Sequence, residues 1–60
     1  MTPQEKVEEL IENLGVFNAI YLAEHMLIVL EDYAGIEKIH DEIQEWKEVL
    51  LLLEKRQENL

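Results

Sequence analysis

Leu14-Gly15-Val16-Phe17-Asn18 is the stretch whose reading decides the fold. Glycine can take a positive φ that ends a helix, and the apolar Val16 after it can fold back on Ile11. Asn18 has a good side chain for capping a new helix, and Phe17 and Leu22 around it stand at the spacing of a hydrophobic staple. The apolar phase also slips here: Val7, Leu10, Leu14 does not run on smoothly into Val16, Ile20, Ala23, Leu27, Leu30. Together these signals predict a break at residues 15–18. The alternative is one continuous helix from Pro3 to Ala34, since an interior glycine costs only about 1 kcal/mol relative to alanine. That helix would be about 48 Å long against about 35 Å for the one that follows, leaving an unpaired overhang.

Before the break, Thr2-Pro3-Gln4-Glu5 reads as a helix start. Thr2 is the cap, Pro3 suits the first helical position, and Glu5 completes a capping box. Val7, Leu10, Ile11 and Leu14 then mark one apolar face. After the break, a helix over 19–34 carries two adjacent stripes: Ile20, Ala23, Leu27, Leu30 and Ala19, Leu22, Met26, Val29, Tyr33. Two stripes imply two packing partners. Gly35 ends this helix or caps the next. A third helix over 36–58 repeats Ile36, Ile39, Ile43, Trp46, Leu50 and Leu53 at alternating spacings of three and four, a coiled-coil-like seam. Val49, Leu51 and Leu52 widen it. Its acidic start and the later Lys47, Lys55 and Arg56 suit the helix dipole. No strand pattern, internal repeat, linker or low-complexity segment is visible.

The expected fold is therefore all-α: a single helical domain over 1–60, with helices near 3–14, 19–34 and 36–58, or a plain helical hairpin if the break fails. The chain has 60 residues and no cysteine. A domain this short buries only about 60% of its unfolded surface, and neither disulfides nor thiolate metal sites can help it. Between Val16 and Leu30 only Asn18, Glu24 and His25 are polar. A helix apolar nearly all round is buried on every side, and one short chain has little with which to surround it. Homo-oligomerisation into a helical bundle, with a homodimer first, is expected through Leu22, Met26, Val29, Tyr33, Trp46, Leu50 and Leu53. Trp46 and Phe17 fall on inward faces, with Tyr21 and Tyr33 nearer the stripe edges. In length and hairpin architecture alone, the chain resembles small dimeric four-helix bundles such as plasmid-copy-number RNA-binding hairpins. Those need basic RNA-facing residues, and the first helix here offers a single lysine, Lys6.

The apolar run is too short and too interrupted for a membrane span, which needs about 20 residues. It starts too late, and after too many glutamates, for a signal peptide. A cytoplasmic protein, mature from Met1, is expected. Fourteen acidic side chains against five basic ones give a net charge of −9. That balance repels phosphate backbones and anionic lipid, so neither nucleic acid nor membrane is an expected partner. A protein with a basic surface is. Glu5, Glu8, Glu9 and Glu12 on the first helix and Glu37, Asp41, Glu45 and Glu48 on the third form two acidic stripes that could engage it. The bland reading of both is a solvated face.

Catalysis has little to work with. The chain has no Cys and no Ser, and Thr2 is its only hydroxyl besides tyrosine, so nucleophilic catalysis of the usual kind has no residue to use. Glu9 with Glu12, or Glu42 with Glu45, could hold Mg²⁺, but no Gly-rich loop stands near to hold phosphates. Glu37-Lys38-Ile39-His40 places a carboxylate and an imidazole on one helix face. Di-iron bundles use such pairs with further glutamates, for which Glu24 or Glu31 would serve. Glu37 and His40 flank the seam instead of facing inward, so no metal or other cofactor is expected. His25 shares an exposed strip with Asn18 and Asp32. What remains is a small acidic protein-protein interaction module, an adaptor, inhibitor or antagonist of a larger protein, and no enzyme. The alternatives are a metal-binding oligomer built on Glu37 and His40, or a purely structural self-assembling subunit.

Overall fold

The computed structural model describes residues 2–59. They form three helices, α1 (Pro3–Leu14), α2 (Val16–Glu31) and α3 (Glu37–Glu58). The start of α1 follows its sequence signal. The Glu5 amide donates to the Thr2 hydroxyl oxygen at 3.2 Å, and the Thr2 amide donates to the Glu5 carboxylate at 3.1 Å. Two otherwise unpaired donors at the helix start are thereby satisfied.

The break falls at Gly15, and it is sharper than the sequence suggests. Gly15 alone joins α1 to α2, with φ 83° and ψ 162°, a region essentially restricted to glycine. Its amide donates to the Ile11 carbonyl at 2.9 Å, closing α1, and its carbonyl accepts from the Ala19 amide at 3.0 Å, opening α2. One residue therefore ends one helix and begins the next. This corrects the role expected of Asn18. The helix has already started at Val16, and the Asn18 side chain donates back to the Leu14 carbonyl at 3.0 Å. It satisfies the end of α1 instead of capping α2.

Starting α2 three residues earlier also changes where Phe17 points. Ala19 and Ala23 are fully buried, and Phe17 lies roughly 200° round the helix from Ala19. Phe17 is therefore exposed, contrary to the inward placement expected of it. At its other end α2 stops at Glu31, short of Ala34. The chain continues through 32–36 with tighter i to i+3 bonds, among them Tyr33 amide to Leu30 carbonyl at 2.9 Å, as last turns commonly do.

At about 1.5 Å per residue, α3 is about 33 Å long and spans most of the 37 Å long axis of the molecule. It packs against both other helices. The core is Val7 from α1, Ala19 and Ala23 from α2, and Trp46, Val49 and Leu53 from α3. Leu10, Ile11, Ile20, Met26, Leu27, Leu30, Leu50 and Leu52 pack around it. At the two alanines nothing beyond Cβ stands between α2 and its neighbours. The α3 seam holds at Ile43, Trp46 and Leu53, is half-buried at Ile39 and Leu50, and fails at Ile36, which is exposed. Its centre moves to the fully buried Val49, because α3 is covered by two helices and not one. Leu51, expected to widen the seam, is exposed on the outer side beside Thr2, Pro3, Gln4, Glu48 and Lys55.

Candidate functional surfaces

Two surfaces of different character lie on opposite elements. The first is acidic. Of its α1 residues, Glu5 is occupied by the capping box, and hydrogen bonds from the Thr2 amide and hydroxyl hold its carboxyl below the usual carboxylate range. Glu8 lies 3.5 Å from Arg56 across the α1–α3 contact, both exposed. Of its α3 residues, Glu45 accepts from Lys6 at 2.8 Å. That hydrogen bond, and the lysine charge after it, lower the Glu45 pKa. The Lys6 ammonium also lies 4.4 Å from the centroid of the Trp46 ring, within cation–π range. Part of each predicted acidic stripe thus fastens α1 to α3. Glu9, Glu12, Glu37, Asp41 and Glu48 remain exposed and make up the open acidic surface.

The second surface is the outer side of α2. Phe17, Tyr21 and Ile28 are 65%, 75% and 65% exposed. With Glu24, also exposed, they follow one another at spacings of four, three and four residues, and so lie on one line of the helix. Val29, Tyr33 and Ile36 add exposed apolar area toward the 32–36 turn. The sequence reading placed Phe17 inward and Tyr21 near a stripe edge and did not single out Ile28, so it missed the line they form. Their spacing was visible, and the expected stripes leave Tyr21 and Ile28 outside them; Phe17 was misplaced because taking Asn18 as the cap put it ahead of the helix as half of a staple.

The residues expected to mediate self-association divide. Trp46 and Leu53 belong to the protomer's own core. Leu22, Met26 and Leu50 are half-buried, and only Val29 and Tyr33 are exposed. Burial within the protomer has used the inner half of that set.

Glu37 and His40 are both exposed at the start of α3. His40 Nε2 sits in hydrogen-bond contact with the Ala34 carbonyl. Since that oxygen only accepts, the nitrogen facing it carries the proton. Among the described residues, no group of three or more His, Asp or Glu side chains is placed to hold a metal ion. Glu42 and Glu45 are likewise divided, since Glu45 is held by Lys6. His25 is exposed, as are Asn18 and Asp32. No helix among the described residues is long and apolar enough to cross a membrane.

Comparison with known proteins gives no match: no family model, no curated protein and no solved structure matches the chain.

Proposed function

We propose that this chain is a non-enzymatic protein-protein interaction module that associates into a larger helical assembly. The observation that carries the reading is the outer side of α2. A folded protomer satisfies α1 and most of α3 internally, yet leaves Phe17, Tyr21 and Ile28 exposed together. Adjacent exposed apolar side chains of this size mark interaction surfaces, and aromatic anchors of this kind supply most of the affinity where such surfaces meet. The open carboxylates of α1 and α3 have a different task. They favour approach by a protein with a basic surface and disfavour acidic ones. An adaptor or inhibitor of a larger basic protein fits the acidic surface, and association into a helical assembly fits the α2 line.

The test is cross-linking of the tagged full chain in its own cell, alongside an Ile28→Asp variant and a Glu9→Lys/Glu12→Lys variant. The expected result is a defined set of cross-linked proteins that loses members with each variant. An unchanged set with both variants would overturn the reading.

A further inference from the structure

The outer line of α2 has a feature beyond being apolar. Read from either end, it runs apolar, polar, polar, apolar: Phe17, Tyr21, Glu24, Ile28. Its surroundings are also distinctive in charge. Only Glu24 and Glu31 of the fourteen acidic residues lie on α2, and the helix carries no Lys or Arg. The outer faces of α1 and α3 hold most of the remaining carboxylates, so two copies meeting through either would set acid against acid. Two copies meeting through α2 avoid that. A basic partner, in turn, finds little on this line to attract it.

We propose that a second copy of this chain covers the line, α2 against α2 in antiparallel orientation about a two-fold axis. This rests on α2 being an interaction face and names its occupant. In a two-fold contact, if one residue meets a second, the second meets the first. Here Phe17 meets the partner's Ile28, and Tyr21 meets the partner's Glu24. The phenol hydroxyl donates to the carboxylate, so each copy of the only charged group on the line receives a donor. A parallel arrangement would place Glu24 against the partner's Glu24, two like charges facing each other within an apolar seam. Packed helices run about 8–10 Å apart, a separation that a tyrosine and a glutamate side chain span together. The resulting six-helix assembly keeps the α1 and α3 carboxylates outermost, where a basic partner can reach them.

Light scattering on a sizing column, over a range of concentrations, should give twice the protomer mass for the full chain. Ile28→Asp should raise the dissociation constant by on the order of 100-fold, because a carboxylate would then be buried against Phe17. Tyr21→Phe should raise it by on the order of tenfold through loss of a hydrogen bond to a charged acceptor. Both positions are exposed, so circular dichroism of each variant should stay helical. Orientation is read separately, since the chain has no cysteine of its own. Under oxidation, a mixture of Phe17→Cys and Ile28→Cys chains should join to each other, while each variant alone should not. In the antiparallel pair, like positions are displaced by about 16 Å along the helices, beyond the roughly 7 Å limit for Cα atoms joined by a disulfide.

A helical chain that stays at protomer mass at every concentration would overturn the second-copy proposal. So would a dimer indifferent to Ile28→Asp, or one in which each cysteine variant joins to itself. The broader reading fails on a different result, a cross-linking pattern in the cell that neither Ile28→Asp nor Glu9→Lys/Glu12→Lys changes.

Discussion

α1 and α2 flank the same helix and are joined by a single residue, yet they meet α3 in different ways. α1 buries Val7, half-buries Leu10 and Ile11, and directs its glutamates outward or across to α3. Two ion pairs and the Lys6 contact with Trp46 hold it in place. α2 makes its contact with α3 through small and aliphatic side chains centred on Ala19 and Ala23, and presents Phe17, Tyr21 and Ile28 to the outside. The apolar residues of α1 are nearly matched to what one protomer can bury. Those of α2 exceed it. Hydrophobic content alone would rank α2 as the more buried helix, but a helix can cover only as much of itself as its neighbours can reach.

That contrast should be largest in core against surface truncation. Leu53→Ala removes a fully buried side chain and is expected to cost about 2–5 kcal/mol. Phe17→Ala, measured by urea unfolding at concentrations where protomers are separate, is expected to change stability by no more than about 0.5 kcal/mol. A large cost at Phe17 in the isolated protomer would mean that α2 is packed within one chain after all.

The two glycines give the next largest separation. An added Cβ meets nothing within 4 Å at either Gly15 or Gly35, so any difference between them comes from the backbone. Gly15 has a positive φ and Gly35 does not. Gly15→Ala should cost about 1–3 kcal/mol, whereas Gly35→Ala should be neutral or stabilise by about 0.4–1 kcal/mol through the unfolded chain. Equal melting temperatures for the two variants would show that the α1–α2 junction does not require its unusual conformation.

The smallest effect concerns pH. The folded-state pKa of Glu45 is lowered by Lys6. Its contribution is therefore present above the ordinary carboxylate range and is lost as pH falls through that range and below it. Glu45→Gln should flatten the acid side of a plot of melting temperature against pH, and Lys6→Met, which removes the other half of the pair, should flatten it likewise. If neither substitution changes that slope, the α1 contact is not electrostatic in the way its geometry indicates.

Much of this arrangement is legible in local sequence. The Thr2 capping box, the inward placing of Val7, the break near Gly15 and the burial of Ile43, Trp46 and Leu53 all follow from spacings within a few residues. What escapes local reading depends on elements meeting. Lys6 and Glu45 are 39 residues apart, and no spacing rule brings them together. Val49 becomes the centre of α3 only because two helices, and not one, lie over it. The start of α2 is lost to a competing local signal. Asn18 is as suited to receiving the end of one helix as to starting another, and only the backbone of Gly15 decides which. Of the open α2 line, only Phe17 shares that origin, since it falls ahead of a helix started late.

The single-residue junction has a further consequence, in how much slack the chain has. The turn over 32–36 can take up an inserted or deleted residue by rearranging itself. Gly15 has nothing beside it to rearrange, because its amide already belongs to α1 and its carbonyl to α2. Shifting the start of α2 by one residue would turn that helix by about 100° and carry Phe17, Tyr21 and Ile28 from the outer side to the flank. Changes of length are therefore tolerable at one end of α2 and ruinous at the other, and the length of this junction fixes which side of the helix other molecules meet.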